Sequence, residues 1–145
     1  MGLNLIRYLC VSMLLPSAVA LGGSSKTAAQ TQDQDVQVIQ MTAKKYEFSP
    51  SQVHVKTGMK VQLKITAIDR DHGFKIAIVG DGADSSSSPG LEFSPSQGPD
   101  GWKLKKGEGT TIEFVAKTAG TYEFQCSVAC GIHHGRMKGQ LVVDQ

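Results

Sequence analysis

The stretch that decides the fold is Val61-Gln62-Leu63-Lys64-Ile65-Thr66, in which apolar and polar side chains alternate without a break. A period of two is the pattern of a strand with one buried and one hydrated face. Further short β-like segments lie on both sides, at residues 36–38, 53–55, 74–78, 111–115, 122–126 and 141–143. Nothing in the chain has the period of a long amphipathic helix, so an all-β protein is predicted.

Turn signals that end in glycine separate these segments at residues 56–58, 105–107 and 118–120. Many short strands divided by such turns are typical of a Greek-key β-sandwich. Residues 80–101, with a serine run and three prolines, are predicted to form one long loop. The hexapeptide Glu-Phe-Ser-Pro-Ser-Gln occurs at 47–52 and again at 92–97. Its flanks differ, so it does not indicate a duplicated domain.

Composition and the N-terminus bear on location and partners. Residues 1–20 combine Arg7, an apolar run and the triplet Ala18-Val19-Ala20, which predicts a signal peptide or, if it is not cleaved, an N-terminal anchor. Residues 21–35 are predicted to be a flexible linker, and 36–145 the folded domain. We expect an exported, periplasmic monomer that meets the membrane only through a possible anchor. A net charge of +2 argues against nucleic-acid binding, and 40% hydrophobic with 19% charged residues argues against disorder.

The chemistry is concentrated in Cys126-Ser-Val-Ala-Cys130-Gly-Ile-His-His134-Gly-Arg-Met137. Thiolates and thioethers are soft donors that favour copper. A disulfide and a structural zinc site are the alternatives. However, a disulfide needs neither His134 nor Met137, zinc has little use for the thioether, and a mononuclear blue-copper site needs only one cysteine. An upstream imidazole, His72, could join from a strand end, whereas we expect no ligand role for His133 or His54.

This segment resembles the CuA motif of cytochrome c oxidase subunit II and nitrous oxide reductase, C-x-x-x-C-G-x-x-H-x-x-M. The motif positions are filled by Cys126, Cys130, Gly131, His134 and Met137. The resemblance covers residues 46–143 and includes His72-Gly73-Phe74 upstream. It implies a cupredoxin fold and a binuclear, mixed-valence copper centre with two copper ions per chain.

The resemblance also implies a ligand set in which Cys126 and Cys130 bridge both ions as thiolates. The other implied ligands are His72 and Met137 on one copper, and His134 and the backbone carbonyl of Val128 on the other. Oxidase subunits commonly carry glutamate where this chain has Val128, and they usually have two transmembrane helices. Val128 retains the carbonyl but lacks the carboxylate, which casts doubt on docking to an oxidase core.

The function that this resemblance implies is electron transfer rather than catalysis on a substrate, since no nucleophile with a base is evident. The implied partner is a redox protein such as a c-type cytochrome or a terminal oxidase or reductase. Two alternatives remain open at this point. One is a copper delivery or storage protein, and the other is a membrane-tethered component like oxidase subunit II.

Overall fold

The computed structural model describes residues 35–84 and 86–145, and within them the protein is built from β-strands. Ten strands and one short 3-10 turn, His134–Arg136, are present in this part of the chain. The strands are β1 Val36–Lys44, β2 Glu47–Ser49, β3 Gln52–Lys56, β4 Lys60–Ala67, β5 His72–Ile76, β6 Leu91–Phe93, β7 Trp102–Leu104, β8 Gly109–Ala116, β9 Gly120–Gln125 and β10 Lys138–Asp144. They form two five-stranded sheets, in the orders β2-β1-β4-β8-β6 and β3-β10-β9-β5-β7. The predicted all-β sandwich is confirmed.

Strand β4 forms the centre of the first sheet, as its alternating sequence predicts. Val61, Leu63 and Ile65 are buried, whereas Gln62 and Lys64 point to the more exposed face. β4 pairs in parallel with β1 and antiparallel with β8. The second sheet likewise contains one parallel pair, β3 with β10. Because parallel strands cannot be joined by a tight turn, these pairs mark the crossings of the chain between the two sheets.

An aromatic cluster fastens the two sheets together. Phe48 of the first sheet meets Phe74 and Phe124 of the second sheet edge-on, with both centroid distances at 5.5 Å. Phe74 and Phe124 lie 5.3 Å apart in a tilted arrangement. Such pairs contribute roughly 0.5–1.5 kcal/mol each beyond the apolar area that they bury. Phe74 lies two residues after His72 on β5, and Phe124 lies two residues before Cys126 on β9. The cluster therefore fixes the start of β5, where His72 lies, and the end of β9, which Cys126 follows.

The repeated hexapeptide forms the two edges of the first sheet. Its first copy supplies β2, which pairs with β1, and its second copy supplies most of β6, which pairs with β8. Residues 80–101 were predicted to be a single loop, and the structure corrects this by placing β6 inside it. The second copy also contributes Gln97, whose side-chain amide bonds both the N–H and the C=O of Ile76 at 2.9 Å. A three-residue strand is too short to show periodicity, which is why it was missed.

The register places four connections at one end of the sandwich, which we call the site end: residues 45–46, 68–71, 105–108 and 126–137. The last two connections follow the ends of β7 and β9, and the first two follow β1 and β4. No helix within the described ranges, 35–84 and 86–145, is long and apolar enough to cross a bilayer. The predicted signal peptide or anchor and nearly all of the predicted linker lie outside those ranges.

Candidate metal centre

Two free thiols form the centre of the site end. Cys126 directly follows β9, Cys130 comes four residues later, and both residues are buried, at 3% and 0% exposure. Their sulfur atoms lie 3.8 Å apart. A disulfide bond is about 2.05 Å long, so the two thiols are not bonded to each other. The loop that carries them is closed at its base, because the Cys126 N–H donates to the Met137 carbonyl at 2.9 Å.

All six predicted donor residues lie in one continuous set of contacts. His72 Nδ1 is 4.0 Å from Cys126 Sγ, and the carbonyl oxygen of Val128 is 3.2 Å from the same sulfur. His134 Nδ1 is 3.6 Å, and Met137 Sδ 3.8 Å, from Cys130 Sγ. The two sulfurs therefore have one imidazole each. His72, Cys126 and Cys130 alone place three potential ligand atoms within 4.8 Å of one another.

This donor set fits a thiophilic metal. A zinc–thiolate bond, which serves as the reference length for a thiophilic metal, is about 2.3 Å long. Two sulfurs separated by 3.8 Å are closer than twice that length, so a single ion can contact both. Soft sulfur donors together with imidazoles favour copper over harder cations.

Asp69 orients the upstream imidazole. Its Oδ1 lies 2.7 Å from His72 Nε2, and its two oxygens also accept the backbone N–H groups of Arg70 and Lys45 at 2.9 and 3.0 Å. Burial acts to raise the pKa of Asp69, but these hydrogen bonds outweigh it and hold the pKa at about 2. An ionised carboxylate only accepts hydrogen bonds, so Nε2 carries the proton. The other ring nitrogen, Nδ1, faces the Cys126 thiol at 4.0 Å.

Gly73 allows the loop to approach β5 closely. Its N–H donates to Cys126 Sγ at 3.4 Å. A Cβ at this position would overlap the hydroxyl of Ser127 and lie 3.0 Å from the Ser127 backbone nitrogen. Only glycine therefore fits beneath the loop without displacing it. The Ser127 hydroxyl itself is buried and has no hydrogen-bond partner among the described residues.

Comparison with known proteins places this geometry in a family. The Cupredoxin-like domain family matches residues 13–143, which is most of the chain. The chain is a cupredoxin-like protein. The cupredoxin is similar to cytochrome c oxidase subunit 2 of Thermus thermophilus, with 26% identity over 100 residues. That alignment covers 69% of the cupredoxin and 60% of the relative, so the chain spans less than two thirds of the relative's length.

Solved structures support the same fold at low sequence identity. Auracyanin A, a "blue" copper protein from Chloroflexus aurantiacus, superposes with a TM-score of 0.56 at 19% identity, covering 76% of the cupredoxin and 100% of that chain. The periplasmic domain of cytochrome oxidase subunit II from Bradyrhizobium japonicum superposes with a TM-score of 0.55 at 16% identity, covering 75% and 84%. At these identities the superpositions establish the fold alone.

The electrostatics of the cupredoxin's thiols favour the protonated form of Cys130 when no cation is bound, because its pKa is raised. Burial raises the pKa of the Cys130 thiol, and the neighbouring Cys126 raises it further. Arg70 acts in the opposite direction, and its guanidinium donates to the Cys130 carbonyl at 3.0 Å. Two adjacent buried thiolates repel each other, so they need a positive charge between them to be stable together.

The two remaining histidines of this part of the cupredoxin lie outside the donor set. His133 is exposed, and its ring meets Tyr46 edge-on at 5.2 Å. Gly131 makes that contact possible, because its φ is +134° and a Cβ there would lie 2.9 Å from the Tyr46 hydroxyl. His54 pairs with Asp144 at 3.1 Å on β3 and β10. The prediction that His133 is not a ligand is untested by these contacts and stays a prediction.

Asp69 and Arg70 support the donor residues but were not predicted from the sequence. A carboxylate three residues before a candidate ligand histidine was a usable signal for Asp69, since metal-bound imidazoles commonly donate their second N–H to a carboxylate. Arg70 gave no comparable signal, because its contact with the Cys130 carbonyl depends on how the loop folds back over β5.

Proposed function

We propose that this cupredoxin is an electron-transfer protein that binds two copper ions in one mixed-valence, CuA-type centre. The observation that carries the proposal is the pair of buried, unbonded thiols 3.8 Å apart, each with one imidazole beside it. A disulfide has a shorter separation, and a mononuclear blue-copper site needs only one thiolate. When bound, the copper pair takes up and releases one electron that both ions share.

In this proposal Cys126 and Cys130 would be shared by the two ions. His72 and Met137 would complete one ion, and His134 and the Val128 carbonyl would complete the other. The chain's own role is to hold these atoms still. Cys126 follows β9, His72 begins β5, and both strands contribute a phenylalanine to the aromatic cluster. The base of the loop is closed by the backbone hydrogen bond between Cys126 and Met137. A fixed ligand frame keeps the geometry nearly constant during electron transfer.

We further propose that the protein is an exported, monomeric relay without enzymatic activity of its own. The similarity to oxidase subunit 2 supports a redox partner such as a c-type cytochrome or a terminal oxidase or reductase. Val128, which replaces the usual glutamate, favours an independent carrier over an oxidase subunit. A membrane-tethered oxidase component is the alternative within the same chemistry.

The test is copper stoichiometry combined with electron paramagnetic resonance. The protein is reduced, loaded with copper, freed of excess metal and oxidised. We expect two coppers per chain and hyperfine coupling to two equivalent copper nuclei. Replacing Cys130 with serine removes one bridging sulfur, so the coupling should collapse to one nucleus and the colour should change.

The matched control is His133→Ala, which removes an imidazole adjacent to His134 but outside the donor set. Its spectrum should equal that of the parent protein, and loss of the two-copper signal would show that the ligand register is wrong. One copper per chain with single-nucleus coupling in the fully loaded, oxidised parent would overturn the proposal. That result would favour a copper delivery protein.

A further inference from the structure

The site end is positively charged. Its four connections hold five cations and three carboxylates. The cations, all on exposed residues, are Lys45, Arg70, Lys105, Lys106 and Arg136. The carboxylates are Asp69, Asp71 and Glu108.

Two of the three carboxylates of the site end make inward hydrogen bonds, and among its cations Arg70 donates to the Cys130 carbonyl at 3.0 Å. Asp69 binds His72, and Asp71 accepts the backbone N–H of Lys106 at 2.9 Å. Among residues 35–84 and 86–145, none of the five cationic side chains forms an ion pair with a carboxylate. The positive charge of this surface is therefore available to a partner.

Charge is separated along the molecule rather than spread over it. The connections at the opposite end, residues 57–59, 77–90 and 117–119, carry one cation, Lys117, and two carboxylates, Asp81 and Asp84. Lys117 is paired with Glu92 at 3.0 Å. The whole chain has a net charge of only +2, so the site end is positive because of where the charged residues lie in the fold and not because the protein is strongly basic.

An apolar tip lies within this cationic end. Ile132 is 95% exposed, whereas the other exposed large apolar residues are between 39% and 51% exposed. It lies on the same loop as Cys130 and Arg136, next to His133. Ile68, in the 68–71 connection, is also exposed, at 51%. Single exposed apolar side chains are common, so the observation that indicates a contact surface is the nearly complete exposure of Ile132 on the loop that carries the donor residues.

We propose that the site end is the docking surface for an acidic electron-transfer protein. Ile132 and Ile68 make the apolar contact, and Lys45, Arg70 and Arg136 meet carboxylates that surround the partner's redox group. This inference rests on the proposed function, since docking there matters only if the cluster carries the electron. Opposite charge speeds the encounter, and a small apolar centre suits a short-lived complex.

An anionic membrane surface is negatively charged, as an acidic protein is, and is therefore the alternative partner for this cationic end. Bilayer-binding segments usually concentrate four to eight cations in one stretch of chain. Here the cations are distributed over four connections, and only Ile68 and Ile132 could enter the interface. The observations therefore favour a protein partner.

The first experiment needs no copper. Hexacyanochromate(III), a redox-inert paramagnetic trianion, is titrated into the metal-free, reduced chain at 10 mM ionic strength and followed by amide NMR. We expect line broadening at residues 45–46, 68–71, 105–108 and 131–136. Lys45→Glu with Lys105→Glu should weaken binding about tenfold. The matched control, Lys56→Glu with Lys64→Glu, reverses two exposed and unpaired lysines away from the site end and should weaken it less than about twofold. Broadening centred elsewhere, or equal effects of both variants, would overturn the docking surface.

The second experiment uses the copper-loaded protein and two c-type cytochromes, one with negative and one with positive net charge, in stopped flow. The rate constant with the acidic cytochrome should fall about tenfold between 10 and 300 mM ionic strength, and that with the basic one should not fall. If the chain binds no copper, the proposed function is refuted. The hexacyanochromate titration would still show whether the site end is an anion-binding docking surface. Sedimentation with phosphatidylglycerol vesicles at 150 mM salt should leave the chain in solution. Binding to those vesicles through the same cations, or a salt-weakened reaction with the basic cytochrome, would overturn the proposal.

Discussion

Replacing Asp69 with asparagine should weaken copper binding without touching any proposed ligand. The carboxylate has two acceptor oxygens, which together serve His72 Nε2 and the backbone N–H groups of Lys45 and Arg70. An amide has one acceptor oxygen and one donor group. At least one of the three N–H groups would therefore face another donor, and the negative charge that holds the His72 tautomer would be lost.

The expected size of this effect follows from the contacts. Loss of a hydrogen-bonding partner behind a metal-bound imidazole costs about 10- to 100-fold in metal affinity. The Asp69 side chain is 33% exposed, so water screens part of its charge. We therefore expect the lower part of that range, about tenfold or 1.4 kcal/mol. In the metal-free chain, the donor that loses its acceptor should lower the free energy of unfolding by about 1 kcal/mol.

The assay is competition for copper(I) with a chromophoric chelator at pH 7, together with urea unfolding of the metal-free chain. Asp71→Asn is the matched control, because Asp71 accepts the N–H of Lys106 and contacts none of the donor atoms. An Asp69→Asn variant that binds copper as tightly as Asp71→Asn does would refute the reasoning. Because the pKa of Asp69 is held at about 2, its stabilising contribution should persist above about pH 4 and disappear as the pH falls toward 2.

Three further predictions concern the same centre. Gly73→Ala should lower the free energy of unfolding by about 1–3 kcal/mol, because the new methyl group overlaps Ser127, and urea unfolding with an unchanged midpoint would contradict this. Copper affinity should fall as the pH is lowered from 8 to 6, since burial raises the pKa of the Cys130 thiol and binding must displace its proton. Proton release on copper loading is the measurement that checks this. A copper affinity that does not change with pH would show that the thiols are already ionised. Met137→Leu should shift the reduction potential yet keep the two-copper signal, because a thioether would be a weaker copper ligand than a thiolate. A single-copper spectrum in this variant would assign Met137 a larger role.

The parts of the fold that sequence analysis predicted are those with a repeating physical pattern. Alternation over 61–66 identified the central strand, because a half-buried strand exposes every second side chain to water. β2, β6 and β7 have three residues each, too few for a pattern, and they form only because longer strands present them with an edge. The function of Gln97 could not be foreseen either, since its hydrogen bonds to Ile76 join positions 21 residues apart.

Five of the six proposed donor residues could be gathered from the sequence because only ten residues lie between Cys126 and Met137 and the spacing matches a known motif. What the spacing could not supply is the support around them. The contact of Asp69 with His72 depends on the turn between β4 and β5, and that of Arg70 with Cys130 on the fold of the loop. Both belong to the three-dimensional packing rather than to a local pattern.

The repeated hexapeptide has a consequence for the protein at high concentration. Both edge strands of the first sheet have only three paired residues. Pro50 directly follows β2, and Pro95 comes two residues after the end of β6. Proline has no N–H to offer, so another molecule that approached either border would find too few backbone groups to pair with. The repeated hexapeptide therefore disfavours the addition of further strands at either edge of this sheet, and the protein should not polymerise through these edges at high concentration.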